Sequence, residues 1–355
     1  MDKYKIDSHK LIYHVPRINS WLTGKNIYPI YMEVSPSGAC NHRCTFCALD
    51  FMEYQKRYLN ASVFKERLIE MGQLGVKSIM YAGEGEPFLH KQMSDIIRHT
   101  KAAGIDVALT TNGVLFRKML AEEILGVVEW IKVSINAGTS DTYAKIHGTK
   151  PSDFDKVIDN MSYAVKIKRD KGYKCTLGMQ MLLLPENQHE VLLLAEIAKN
   201  TGVDYVVIKP YSQHLMSKTT KYKNITYSNY LNLSDELSKF NCDDFSVIFR
   251  MNAMNKWDKG FRNYKHCQAL PFWSYIDAGG NVWGCSAYLE DERFRYGNIY
   301  NDSFQDIWEG EKRTESVRLA EKELDTNQCR VNCRMDEINR YLWELKHPPQ
   351  HVNFI

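Results

Sequence analysis

The chain has 355 residues, 44% hydrophobic and 25% charged, the composition of a folded globular protein with room for one large domain and a small one, or a single elaborated barrel. A net charge of +3 gives no ground for a nucleic-acid partner or for binding to an acidic membrane surface. No stretch approaches the ~20 apolar residues of a membrane span, so no membrane partner is expected either.

In chain order, Met1-Asp2-Lys3-Tyr4-Lys5 is not followed by an apolar core, so a secretory signal is not expected. Nine cysteines in such a chain argue for a reducing, cytoplasmic location and for metal ligation over disulfides. Residues 1–28 read as an N-terminal extension. From 29 to 209 short apolar runs alternate with amphipathic stretches, the pattern of βα units on a parallel sheet. Strands are expected near Ile30–Val34, Ser78–Tyr81, Asp106–Thr110, Trp130–Ser134, Thr176–Leu183 and Tyr205–Lys209. Helices are expected at Val63–Leu74, Met93–Ala103, Phe154–Ile167 and His189–Asn200. The fold class is therefore α/β, a partial (βα)6 TIM-like barrel over 29–235 with its chemistry on the C-terminal strand ends. Residues 211–233, polar and aromatic, read as a bridging loop. A bridging segment and a small cysteine-rich domain occupy 236–346, with a β-hairpin at Tyr275–Trp283 around Gly279-Gly280-Asn281 and a helix capped by Ser303. The tail, 347–355, ends apolar and either frays or packs on the barrel or a partner copy.

Gly38-Ala39-Cys40-Asn41-His42-Arg43-Cys44-Thr45-Phe46-Cys47 follows the first strand. Three thiolates can hold three corners of a cubane cluster and leave the fourth iron open to bind a small molecule. A zinc site is the other reading, but His42, lying between two ligands in the loop, is poorly placed to close one. The C-x3-C-x-aromatic-C run resembles that of the radical S-adenosylmethionine (SAM) superfamily. The resemblance implies that the open iron chelates SAM and that an electron from the [4Fe-4S] cluster cleaves it to a 5′-deoxyadenosyl radical. It places Phe46 beside the adenine. Gly83-Glu84-Gly85-Glu86-Pro87 after the second strand resembles the family segment that grips the SAM amine; glycines admit a ligand close to the backbone, and Glu86 is the better carboxylate for an ammonium. Glu84 is expected to face solvent or substrate. The family supplies hydroxyls and amides from the next strand ends, which points to Thr110, Asn112, Ser134 and Asn136, the last two toward the ribose. Lys145 matches a position where a basic side chain meets the SAM carboxylate. Leu182–Asn187 departs from the family's glycine-containing adenine segment, so those contacts stay unassigned.

Cys267, Gly280 and Cys285 form C-x12-G-x4-C, and Cys329 with Cys333 forms C-x3-C. This looks like the SPASM extension or its shortened twitch form, which implies a second, auxiliary [4Fe-4S] cluster held by these four cysteines; a zinc site from the same four is the alternative. Cys175 and Cys242 read as buried or linker thiols, with a hydrogen-donating role open for Cys242. Tyr211, His214, Phe272 and Trp273 either line a pocket between domains or belong to the core.

The resemblance implies SAM cleavage followed by hydrogen-atom abstraction, with a low-potential donor such as flavodoxin or ferredoxin. The favoured substrate is a small polar molecule (carbohydrate, aminocyclitol or nucleotide sugar) undergoing oxidation or epimerisation. The reason is that the stretch before Pro29 is too short for a leader-peptide domain. A peptide- or protein-modifying maturase is the alternative. A non-catalytic iron–sulfur electron-transfer or structural protein is a second, although it would need neither an open iron nor Gly85-Glu86-Pro87.

Overall fold

The apolar runs form strands because alternate residues can be buried against helices on one face of a sheet. The computed structural model describes residues 3–354. In chain order these comprise α1 (Val15–Leu22), β1 (Tyr31–Val34), α2 (Ala61–Gln73), β2 (Ser78–Tyr81), α3 (Met93–Ala102), β3 (Asp106–Thr111), α4 (Lys118–Ile124) and β4 (Trp130–Ser134). There follow α5 (Ser140–His147), α6 (Ser152–Asp170), β5 (Thr176–Leu182), α7 (Val191–Thr201), β6 (Tyr205–Lys209), α8 (Leu233–Ser238), β7 (Ser246–Phe249) and α9 (Met251–Lys259). The cysteine-rich end holds β8 (Trp273–Ile276), β9 (Asn281–Trp283), β10 (Arg295–Asn298), α10 (Phe304–Glu309), α11 (Glu311–Lys322) and α12 (Asp336–Lys346).

All ten strands belong to one sheet, ordered β10-β9-β8-β1-β2-β3-β4-β5-β6-β7. Strands β1 to β7 pair parallel in sequence order, and β8 pairs parallel with the other side of β1. The six expected strands are present with ends displaced by at most one residue. The seventh, β7, was not expected: Ser246-Val247-Ile248-Phe249 is too short for its period to stand out, and only pairing with β6 identifies it. A boundary at residue 235 therefore cuts a strand away from the barrel sheet, and β8 carries that sheet into the cysteine-rich region. The two regions share a sheet.

Residues opposite one another in a parallel register share a face. Met32, Ile79, Val107, Ile131, Leu177 and Val206 lie on the outer face, buried with the helices in the largest core. Each such side chain contributes about 1.5–3 kcal/mol on burial. The inner face carries Glu33, Met80, Thr110, Lys132, Gln180 and Lys209, so the lumen is mixed and largely polar. Ile18 and Trp21 of α1 pack with Phe272 and with Leu342 of α12, closing the outside of the β1/β8 seam.

The hairpin forms as expected: β8 and β9 are antiparallel, and Gly280 turns between them at φ +82°. Ser303 caps α10, its Oγ accepting from Asp306 N at 3.0 Å, a contact worth about 1 kcal/mol. Residues 347–354 are exposed, Phe354 at 85%, so the described tail does not pack on the barrel. Among the described residues no helix is long and apolar enough to cross a membrane.

Candidate functional site

The loop after β1 is stitched to the loop after β2 and to the C-terminal end of α5. Glu86 N donates to Ala39 O at 2.8 Å, Arg43 N to His147 O at 3.0 Å and Thr45 N to Ile146 O at 2.8 Å. These bonds turn Cys40, Cys44 and Cys47 toward one another as half-buried free thiols. Donors stand at the sulfurs: His42 N at Cys40, Leu49 N and the Tyr54 hydroxyl at Cys47. His147 Nδ1 lies 3.3 Å from Cys44 Sγ. Burial raises all three thiols, Cys40 to about 12. A bound cation reverses that balance by holding the thiolate.

The second set is built in the same way. Cys267, Cys285, Cys329 and Cys333 converge beneath the hairpin and the loop before α12. Every sulfur has its own donor. Ala287 N meets Cys285 at 3.4 Å, Met335 N meets Cys333 at 3.4 Å, Asn339 Nδ2 meets Cys267 at 3.5 Å and the Tyr288 hydroxyl meets Cys329 at 3.1 Å. Donors aimed at sulfur suit ligating thiolates, whose charge they stabilise.

Among the described residues, neither set brings three of its sulfurs within 4.8 Å of one another. Thiolates on a single tetrahedral zinc would sit roughly 3.8 Å apart. The wider spacing leaves room for a cubane, so the chemistry of both donor sets fits a [4Fe-4S] group. One trio does lie within 4.8 Å: His42, Cys44 and His147. An ion there would use one of the three loop cysteines and leave Cys40 and Cys47 without a task.

Gly83 and Gly85 are fixed by close approach. A Cβ on Gly83, at φ +110°, would lie 2.4 Å from the Tyr275 hydroxyl; one on Gly85 would lie 2.3 Å from the carbonyl oxygens of Ser37 and Ala39. Among the described residues no donor meets the Gly83 or Gly85 carbonyl, which leaves both oxygens available to an ammonium. The Glu86 carboxylate is not free in that way. Its Oε1 accepts from Thr111 Oγ1 at 2.6 Å and Phe88 N at 3.1 Å, and its Oε2 accepts from Asn112 N at 2.8 Å. Only 2% exposed, it braces the second and third strand ends, and burial raises its pKa despite these donors. Glu86→Ala is expected to leave three buried donors unpaired and to lower stability by about 2–4 kcal/mol, read as a fall in the denaturant midpoint of the apoprotein. An unchanged midpoint would show that the brace is unimportant.

Glu84, expected at solvent or substrate, is buried instead. Arg57 meets it at 2.7 Å and Ala278 N donates to it at 2.7 Å, so it ties the barrel to the hairpin. Asn136 is also consumed. At φ +56° and fully buried, it accepts from Leu182 N at 2.7 Å, and its amide lies 3.3 Å from His147 Nε2. Lys145 is exposed on α5 and has no polar partner among the described residues; the residue α5 turns toward the cysteine loop is His147. Thr110 and Ser134 do face the lumen, where Ser134 Oγ accepts from Gln180 Nε2 at 3.3 Å. Asn112 bonds Asn41 of the cysteine loop at 2.7 Å, and Phe46 stands edge-on to His147 with ring centres 5.4 Å apart.

Tyr211, Phe272 and Trp273 are buried in core clusters. His214 is buried too, meeting Ser286 O at 2.8 Å and stacking on Phe51. Cys175 lies in the outer core and Cys242 in an exposed turn. Sequence reasoning missed the charged lumen: Glu33, Lys132, Lys209, Arg330 and Arg334. A lysine inside each of the apolar runs Trp130-Ile131-Lys132-Val133 and Val206-Val207-Ile208-Lys209 was the available signal.

Residues 34–198 match the model of the radical SAM superfamily, and residues 244–334 match that of the SPASM iron–sulfur cluster-binding domain. A probable GTP 3′,8-cyclase of Saccharolobus solfataricus is 28% identical over 180 residues, 49% of this chain and 54% of that protein. The GTP 3′,8-cyclase of Chlorobaculum tepidum is 24% identical over 197 residues, 54% and 57% of the two chains. The chain thus spans little more than half the length of these curated relatives. Among solved structures, Streptococcus suis SuiB bound to S-adenosylmethionine superposes with TM-score 0.67 at 17% identity over 94% of this chain and 79% of that one. anSMEcpe with bound AdoMet superposes with TM-score 0.62 at 18% identity over 88% of each. At these identities the structures attest the fold.

Proposed function

The chain belongs to the radical SAM superfamily and carries a SPASM iron–sulfur domain, and from that premise we propose that it abstracts a hydrogen atom from a small polar substrate held in the barrel lumen, leading to its oxidation or epimerisation. Cys40, Cys44 and Cys47 would hold the SAM-binding [4Fe-4S] cluster; Cys267, Cys285, Cys329 and Cys333 would hold the auxiliary one. When bound, the first group supplies the electron that cleaves SAM to the 5′-deoxyadenosyl radical, and the second a place for an electron released by the substrate. The chain's own residues bind and orient. The Gly83 and Gly85 carbonyls receive the SAM amine, with Phe46, Thr110, Asn112 and Ser134 around the rest of the molecule. Glu86, Asn136 and His147 hold those loops in place.

One observation carries this reading: the auxiliary set reaches the inner face of β1, the strand that leads into the first cysteine loop. Arg334, directly after Cys333, bonds Glu33 at 3.0 Å and the Tyr31 hydroxyl, both on the inner face of β1. A substrate in the lumen would therefore lie between the two sets. The curated relatives are named for action on GTP, a small polar molecule, which agrees in class. The electron donor would be a low-potential protein such as flavodoxin or ferredoxin. The test is reductive SAM cleavage by the anaerobically reconstituted protein. Dithionite should yield 5′-deoxyadenosine; none under any reducing condition would return the protein to a structural or electron-transfer role.

A further inference from the structure

Charge in the lumen is unbalanced. Lys132 on β4 and Lys209 on β6 share the inner face with Gln180 of β5 between them, and both are half-buried. Among the described residues neither has a hydrogen bond or an ion pair; the Lys132 ammonium lies 5.7 Å from the centre of the Trp130 ring. The charges around them are mostly positive. Arg334 and Arg250 flank Lys132, and Lys209 faces Lys132, Arg250, Arg334 and Arg330. Arg250 is neutralised by Asp7 at 3.1 Å. Arg330 is held by Ser212, through Oγ at 2.7 Å and the carbonyl at 3.2 Å. Glu33 is a carboxylate whose charge acts on Lys132, and it is already paired with Arg334.

Unpaired cations withdrawn from water are costly, and a protein keeps them where a ligand supplies the counter-charge. We propose that Lys132 and Lys209, with the neighbouring Arg330 and Arg334, form a subsite for a phosphoryl group, so that the substrate is a phosphorylated small molecule. This deepens the preceding reading and rests on it. Two buried amines with no acid of their own need an incoming negative charge to be held as ammonium groups, and a phosphate ester near neutral pH brings about two, more than a single carboxylate carries. Of the auxiliary sulfurs, Cys333 acts on Arg330 and Arg334, so its charge is already met by those arginines. Burial, and then the neighbouring arginines and lysine, lower the Lys132 pKa to about 7 and the Lys209 pKa well below its ordinary value, so a bound anion would favour the charged form of both.

The test is calorimetric titration of reconstituted, SAM-saturated holoenzyme with inorganic phosphate and, separately, with acetate, at constant ionic strength. Saturable phosphate binding is expected, weakened about tenfold or more by Lys132→Gln and by Lys209→Gln and unchanged by Lys322→Gln on exposed α11. Iron content should stay near eight per chain in every variant, showing that the clusters remain. Lys132→Met gives a second readout: phosphate should raise the thermal midpoint of wild type but not of this variant. Absence of saturable phosphate binding, equal binding by the variants, preference for acetate, or loss of SAM affinity in place of phosphate affinity would each overturn the subsite. Reductive SAM cleavage measured on the same samples tests the radical reading separately.

Discussion

Replacing Cys40, Cys44 and Cys47 together by alanine is expected to abolish 5′-deoxyadenosine formation while about four irons per chain remain after anaerobic reconstitution. The asymmetry follows from geometry. The first set draws its ligands from one loop, so removing them removes every protein bond to that group. The second set has four sulfurs, each with its own N–H or O–H donor, and its nearest donors (Ala287 N, Met335 N, Asn339, Tyr288) all lie outside the first loop. Iron and zinc analysis reads the outcome. Zinc in place of the retained iron would make the cysteine-rich region a structural clip and leave the proposed oxidation without its electron acceptor. Loss of all iron would show that the two sets do not assemble independently.

Gly85→Ala is expected to be nearly as damaging, although the substitution adds one methyl group. The new Cβ would sit 2.3 Å from two carbonyl oxygens, those of Ser37 and Ala39, and 2.8 Å from the Gly38 carbonyl carbon. All three are backbone atoms at the entrance to the cysteine loop, so no side chain can rotate away. Relief requires the loop to move, which would break the 2.8 Å bond from Glu86 N to Ala39 O. Overpacking of this kind costs about 1–3 kcal/mol or more. Reconstituted Gly85→Ala should therefore lose about four irons and most SAM cleavage while the auxiliary set stays loaded. Full iron content with normal SAM affinity would show that the loops separate freely and that the glycine is a matter of turn geometry alone.

Much of this protein was legible in its sequence. Period-two apolar runs with intervening amphipathic helices announce a parallel α/β sheet, because burial against helices on one face selects that spacing. Cys40, Cys44 and Cys47 could be read together because an eight-residue stretch keeps its ligands close whatever the rest of the chain does. Gly280 and Ser303 were legible for the same reason, a turn and a cap being local chemistry.

What escaped depends on partners far away in the chain. Glu84 read as facing solvent or substrate until Arg57 and Ala278 N, the latter 194 residues distant, took up its oxygens. Glu86 looked like an open carboxylate until Thr111 and Asn112 closed it. Lys145 and His147 lie on one short helix, and which of them meets the cysteine loop was set by how α5 packs. β7 became a strand only because β6 offered it an edge. The sequence by itself determined the residue types, the two cysteine sets and the layering, since these follow from local spacing and periodic burial. The tertiary structure alone decided which charges are paired and which are left facing the lumen, because electrostatic balance is a sum over neighbours that only folding brings together.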